Sequence, residues 1–242
     1  MPDPTRTRER RGQVTLIDGV PFSNPSSTLS LLPDAATARW LAAQAPLVRG
    51  RLLDNGCGNQ PYRAWYEPLV DSVVTLDAAP APGVAVVGFA DRLPFADQSF
   101  DTVLATEVLE HVENSERAAS ELLRVLRPGG CAIITVPFLY PTHEAPHDFR
   151  RFTHYGLVDL LARSGFEVLS VAAKGGPGLL VGQWAVLAIT QALGSRVQHP
   201  LVRELVARPQ QLFVQRRSVR LAPTGLRAIV SLGYMAVGRR PR

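Results

Sequence analysis

Two short segments concentrate the side chains that could do chemistry. Glu107-Val108-Leu109-Glu110-His111 offers two carboxylates and an imidazole. On a helix, positions i, i+3 and i+4 share one side, so the three groups would converge there. His143-Glu144-Ala145-Pro146-His147-Asp148-Phe149-Arg150-Arg151-Phe152-Thr153 adds two imidazoles and two guanidinium groups. His143 and His147 are candidate proton acceptors, because imidazole titrates near neutrality. Arg150 and Arg151 have two readings: a clamp for an anionic or polar substrate, or an internal salt bridge with Asp148 that orients the loop. Tyr155 is read as part of the substrate pocket; Trp65 and Tyr66 share that reading, against the plain alternative of core packing. Residues 143–147 also spell H-E-x-x-H, which binds zinc only when a helix sets both imidazoles on one face. Pro146 disfavours helix at Ala145, so a metalloprotease is excluded.

A third constellation binds rather than reacts. Leu52-Leu53-Asp54-Asn55-Gly56-Cys57-Gly58 is an apolar run ending in an acid and two close glycines. Glycines at a strand-to-helix turn let the backbone approach a ligand that a Cβ would exclude. About 20 residues on, Val73-Val74-Thr75-Leu76-Asp77 ends in an acid where Rossmann-type sites grip ribose hydroxyls. Asp91-Arg92-Leu93-Pro94-Phe95 and Ser99-Phe100-Asp101-Thr102-Val103 follow in order. A dinucleotide oxidoreductase would want G-x-G-x-x-G, and the spacing after Gly58 does not supply it.

These residues need a scaffold that brings loops together. Runs of β type at 51–54, 73–77, 84–89, 102–105 and 131–136 alternate with helical or loop segments, which indicates a parallel sheet with crossover helices. Pro33-Asp34 opens a helix with Ala36, Trp40, Ala43 and Leu47 at helical spacing. A second helix is expected at 115–126, with Ala118, Leu122, Val125 and Leu126 on one face and Pro128-Gly129-Gly130 as its stop. A third, at 154–164, leads into a strand at 166–172. After Gly175-Gly176-Pro177-Gly178, two helices at 179–193 and 201–215 precede a last strand at 232–237. Residues 1–24 are polar and aperiodic and read as a flexible arm. The main domain is then 25–242, with a helical insertion at about 178–216.

From 51 to 136 the ordered motifs resemble the class I S-adenosylmethionine-dependent methyltransferases, particularly their small-molecule branch. The resemblance implies an α/β, Rossmann-like, seven-stranded, mostly parallel sheet with flanking helices and the insertion before the last strand. It also implies S-adenosylmethionine as cofactor. Asp54, Gly56 and Gly58 would surround the methionine moiety, Asp77 the ribose and Asp91 the adenine, with Arg92 and Glu107 beside them. Arg127-Pro128-Gly129-Gly130 looks like the turn before the fifth strand and Gly233-Tyr234-Met235-Ala236-Val237 like the last strand. Gln60 stands where the family often has a third glycine, which loosens that loop. The E-x-x-E-H pattern is similar to the divalent-metal site of ubiquinone-pathway and small-RNA O-methyltransferases. It implies Mg, Mn or Zn held by Glu107, Glu110, His111 and His147, or by His143 in place of His147. In metal-free members, similar residues cap loops, touch the cofactor or act as a base.

Bulk properties narrow the function. The chain has 242 residues, 46% apolar and 19% charged, as expected of one globular enzyme domain. Cys57 and Cys131 cannot form a disulfide framework, and no secretory leader is recognised, so a cytoplasmic setting is expected. The apolar run 179–189 is interrupted by Gly182 and Gln183, so no spanning helix is expected. From Arg196 onward ten arginines face one acid, Glu204; this +9, within a total of +5, leaves −4 on residues 1–195. Such a tail suits solvent, anionic lipid or phosphate, but no nucleic-acid-binding module accompanies it. The expectation is methylation of a small molecule or saccharide-type metabolite, at oxygen. RNA methylation, or cofactor binding with non-methylating chemistry, are the rivals. A small-molecule substrate is the expected partner and nucleic acid is not; peripheral membrane contact and a homodimer stay open as covers for the apolar stripe Leu180, Trp184, Leu187 and Ala188.

Overall fold

The computed structural model describes residues 14–17, 20–23, 31–198, 205–206, 209 and 230–242. The main sheet has seven strands in the order β5-β4-β3-β6-β7-β9-β8. In chain order these are β3 (Arg51–Asn55), β4 (Ser72–Asp77), β5 (Val86–Val87), β6 (Phe100–Thr106), β7 (Leu126–Pro137), β8 (Glu167–Ala173) and β9 (Gly233–Arg239). β3 pairs in parallel with β4 and β6, and β6 with β7. β9 is antiparallel to both β7 and β8.

Both faces of the sheet are covered, so successive strand residues feed two cores. Leu53, Val103, Ile134 and Ala236 pack with Leu122 and Leu157. Leu52, Leu104, Ile133 and Met235 pack on the other side with Trp40, Leu41 and Tyr66. The first core is covered by α3 (Ser115–Val125) and α4 (His154–Arg163), the second by α1 (Leu31–Gln44), α2 (Arg63–Tyr66) and α5 (Pro177–Leu193). The near-continuous apolar strands follow from this double burial. α3 starts where Asn114 accepts a hydrogen bond from the Arg117 amide (2.8 Å), and α4 where Thr153 accepts one from Gly156 (3.0 Å).

Three details differ from the sequence reading, and one expected helix falls outside the described residues. The segment read as a flexible arm contains an antiparallel hairpin, β1 (Val14–Ile17) with β2 (Val20–Ser23), in the register Ile17↔Val20. The signal was present: two residues, Asp18-Gly19, separate the strands, and this dipeptide favours a tight hairpin turn. The expected strand at 84–89 shrinks to Val86–Val87 because the Val84 amide is taken by a turn to the Ala81 carbonyl (3.1 Å). The helix expected at 201–215 lies outside the described residues, apart from 205, 206 and 209. Finally, residues Pro177–Arg196 form a helical stretch of 20 residues, long and apolar enough by length and composition to cross a membrane. Gly182 and Gln183 do not interrupt it. Gln183 is wholly buried and Gly182 lies beside Leu32, so neither breaks the outward apolar face.

Leu53 is wholly buried between β4, β6 and the α3–α4 layer. Leu53→Ala should therefore lower the unfolding free energy by about 2–5 kcal/mol, read from urea denaturation.

Candidate active site

The carboxyl ends of β3, β4 and β6 open into a cavity of about 690 Å³. Its floor is the turn after β3. The Gly56 and Cys57 amides both donate to the Leu76 carbonyl (2.8 and 3.0 Å), folding that turn back onto β4. Gly56 has φ +69°, and a Cβ there would come within 2.4 Å of Val108 Cγ2. Gly58 is also left-handed, at φ +47°, and its amide donates to Asp77 Oδ2 (2.8 Å). Asp77 thus stands at the cavity edge, oriented by the glycine loop. Asp91 and Arg92 line the rim, where the Arg92 guanidinium sits 4.7 Å above the Phe89 ring.

Asp54 requires a correction. It does not line the cavity; it is buried on the α2 side, where Tyr66 donates its hydroxyl to Oδ2 (2.6 Å). Strand alternation turns the next residue, Asn55, to the cavity instead, and both polar atoms of its buried side chain have no hydrogen-bond partner. Burial pushes the Asp54 carboxyl up to about 6. Tyr66 and Trp65 are core residues rather than pocket lining. Tyr62, which the sequence did not single out, and Asp34, expected only to open a helix, reach the cavity; packing of α1 over the second core, which no local pattern reveals, brings Asp34 there.

Glu107, Glu110 and His111 do not share a helix face. Glu107 has φ +54°, and the chain makes only a 3-10 turn at Leu109–His111. Glu107 lines the cavity, but its Oε1 is held by Lys174 (2.5 Å) and by the Thr135 hydroxyl (2.6 Å). Burial opposes its charge, yet Lys174 and these bonds win and hold the carboxyl below its ordinary value. Lys174, the single lysine of the chain, was missed because it lies on the far side of β8 in sequence. Glu110 is the converse. It is wholly buried, neither oxygen has a hydrogen bond, and burial together with the nearby Glu107 pushes it well above the carboxylate range.

The loop after β7 supplies the rest. His111 Nδ1 lies 2.7 Å from the His147 carbonyl, which can only accept, so Nδ1 is the donor. The His111 Nε2 is 3.7 Å from Glu110 Oε1 and 3.9 Å from Glu144 Oε2. The His111 and His143 rings meet edge to face, 4.8 Å between centres. Among the described residues, Glu110, His111 and His143 place one ligand atom each within 4.8 Å of one another. The expected metal set is corrected accordingly: Glu107 is engaged by Lys174, and His147 contributes its backbone to His111 instead of its ring. The His147 residue itself borders the cavity.

The substrate assignments are also corrected. Arg150 donates to Ser115 Oγ (2.6 Å) and the Glu113 carbonyl (2.7 Å), tying the loop to the start of α3. Arg151 holds Asp148 (2.5 and 2.6 Å) and the Pro141 carbonyl (2.9 Å), and Asp148 in turn accepts the His143 amide (2.9 Å). The internal ion pair is therefore the reading the geometry supports, and the Arg151 bond holds the Asp148 carboxyl far below its ordinary value. Tyr155 is 80% exposed on α4 and outside the cavity lining. Residues 143–147 form no helix, in keeping with the exclusion of a zinc protease.

A fold with a glycine loop, a strand-end acid and a cavity at the carboxyl edge defines an α/β enzyme that binds a nucleoside-type cofactor. Comparison with known proteins makes this particular. The methyltransferase-domain family model matches residues 53–134. A protein of Encephalitozoon cuniculi named as a methyltransferase is 33% identical over 150 residues, covering 49% of this chain and 70% of its own length. An uncharacterized methyltransferase of Mycobacterium marinum is 35% identical over 122 residues, 44% of this chain and 48% of that one. The chain thus spans about half the length of such mycobacterial relatives. The fold is shared with a crystal structure from Galdieria sulphuraria described as a sarcosine dimethylglycine methyltransferase, at TM-score 0.57, 20% identity and 85% coverage of each chain. The chain belongs to the class I S-adenosylmethionine-dependent methyltransferase family.

The buried Asp54 makes stability depend on pH. Its folded pKa of about 6 exceeds the unfolded 3.8, so the folded state holds the extra proton, and stability falls as pH rises from about 4 to about 6. The full effect is at most about 3 kcal/mol. Asp54→Asn should remove this component, flattening the curve of urea midpoint against pH across that window. An unchanged slope would show that Asp54 is not the group responsible.

Proposed function

We propose that the protein binds S-adenosylmethionine in this cavity and methylates a small molecule or saccharide-type metabolite at oxygen. The observation that carries the reading is the single cavity edge shared by Gly56, Gly58, Asp77 and Asp91 with His111 and His147. The residues fit the cofactor. The Asn55 side chain offers a buried, unpaired donor and acceptor at the cavity, Gly58 leaves open space where a Cβ would stand, and Asp77 presents a carboxylate suited to ribose hydroxyls. When bound, S-adenosylmethionine supplies an activated methyl group that a nucleophile displaces in line. A cavity of about 690 Å³ suits a cofactor with a small acceptor more than a macromolecule.

In this reading the protein's own work is positioning and proton removal. His147 borders the cavity and takes the proton of the acceptor hydroxyl as its oxygen gains the methyl. Lys174 and Thr135 hold the Glu107 carboxylate in place at the cavity wall. Arg151, Asp148 and Arg150 fix the loop that carries His143 and His147. With labelled S-adenosylmethionine and a metabolite extract, the label should appear in a small product. Asp77→Ala should weaken cofactor binding by roughly 1–3 kcal/mol in calorimetry without changing the fold. Label only in RNA would overturn the substrate class, and unchanged affinity would remove Asp77 from the site.

Divalent-metal assistance is a second reading, favoured by the orphaned Glu110 carboxylate beside His111 and His143. One carboxylate and two imidazoles suit Zn, Mn or, less well, Mg. These three residues would hold the ion, which would polarise an acceptor oxygen. Elemental analysis should then find metal in the wild type and none in Glu110→Ala/His111→Ala, with S-adenosylmethionine affinity retained. Metal-free protein with full activity would reject this reading and leave His147→Ala as the decisive substitution.

A further inference from the structure

The helix α5 has two faces of opposite fate. Leu179, Gln183 and Val186, at i, i+4 and i+7, are buried on the α1 side. Away from them, Val181 is 68%, Trp184 48% and Ile189 51% exposed. Ala185 and Ala188 are exposed between them. A water-facing helix surface ordinarily carries charged side chains, yet 177–193 contains no charged residue at all. The following stretch, 194–229, carries seven arginines and one glutamate.

We propose that α5 docks the protein on the surface of an anionic lipid bilayer. Val181, Trp184 and Ile189 would enter the boundary between headgroups and acyl chains, and the arginine-rich stretch would be drawn to acidic headgroups. The helix lies on the bilayer rather than crossing it, because its inner face, with the buried Gln183, is committed to the α1 side of the domain. Charge decides against a second copy as the cover. Two copies meeting through this face would bring together chains that are each strongly basic just past the helix, whereas acidic lipid supplies the opposite charge. The indole of Trp184 also suits an interface, with its ring toward lipid and its N–H donating to the Leu139 carbonyl (3.3 Å). Leu139 belongs to the loop after β7, whose later residues Glu144 and His147 line the cavity, so the two sites share one loop.

The full chain should co-sediment with phosphatidylglycerol–phosphatidylcholine vesicles, less so as salt rises. Its fluorescence should shift to the blue and gain protection from acrylamide. Trp40 and Trp65 are already buried, at 3% and 7% exposure, so that change reports on Trp184. Val181→Ser/Ile189→Ser touches no residue of the cavity and should lower vesicle partition by about ten-fold, with cofactor affinity and thermal midpoint unchanged. Absence of wild-type vesicle binding, or binding without any Trp184 protection, would overturn the proposal whether or not the double variant folds. So would undiminished binding by a folded variant, or equal partition onto phosphatidylcholine alone. A vesicle-free dimer that the double substitution dissociates, with no lipid binding, would assign the face to a second copy.

Discussion

Parallel pairing of β3 with both β4 and β6 is the constraint from which the site follows. Parallel neighbours end at the same edge of a sheet, so the turns after β3, β4 and β6 must emerge together. Gly56 and Cys57 then donate to the Leu76 carbonyl across the edge, and Gly58 donates to Asp77. A glycine loop and an acid 19 residues beyond Gly58 become neighbours because two strands run the same way. Antiparallel pairing would have sent them to opposite ends.

The second organising feature is the unequal treatment of two close carboxyl groups. Glu107, half-buried at the cavity, and Glu110, wholly buried behind it, lie three residues apart, where two negative charges would repel each other. Lys174 compensates one of them from the end of β8, with the Thr135 hydroxyl of β7 adding a hydrogen bond. Among the described residues nothing compensates the other within hydrogen-bond reach, and Glu110 is driven toward its neutral form or toward a positive partner. One polar bridge thereby ties the ends of β6, β7 and β8 and sets apart the chemistry of two residues that look alike in the sequence.

The loop after β7 shows how arginines that look like ligand clamps become structure. Arg150 and Arg151 point to carbonyls, a hydroxyl and Asp148, and their bonds hold residues 140–151 against the start of α3. A guanidinium has five N–H donors in a fixed fork, and a loop rich in unpaired carbonyls satisfies them before any substrate arrives. The same loop presents the His147 carbonyl to His111, which makes Nδ1 a donor in that imidazole.

Read alone, the sequence determined the mostly parallel α/β class, the helices α3 and α4 almost to the residue, and the positions Gly56, Gly58, Asp77 and Asp91 that come to line the cavity. These depend on local periodicity, caps and turn chemistry, which neighbouring residues encode directly. Tertiary structure decided whatever depends on residues far apart in the chain. It buried Asp54 beneath Tyr66 and turned Asn55 to the cavity, since which face of β3 meets α2 is a packing outcome. It replaced the expected helix after β6 with a 3-10 turn, preceded by a left-handed Glu107 that pairs with Lys174, 67 residues on. It left one side of α5 uncovered, which composition shows as apolar but only packing shows as exposed. Periodicity reports that a surface wants burial; what buries it is settled by distant contacts that no local pattern carries.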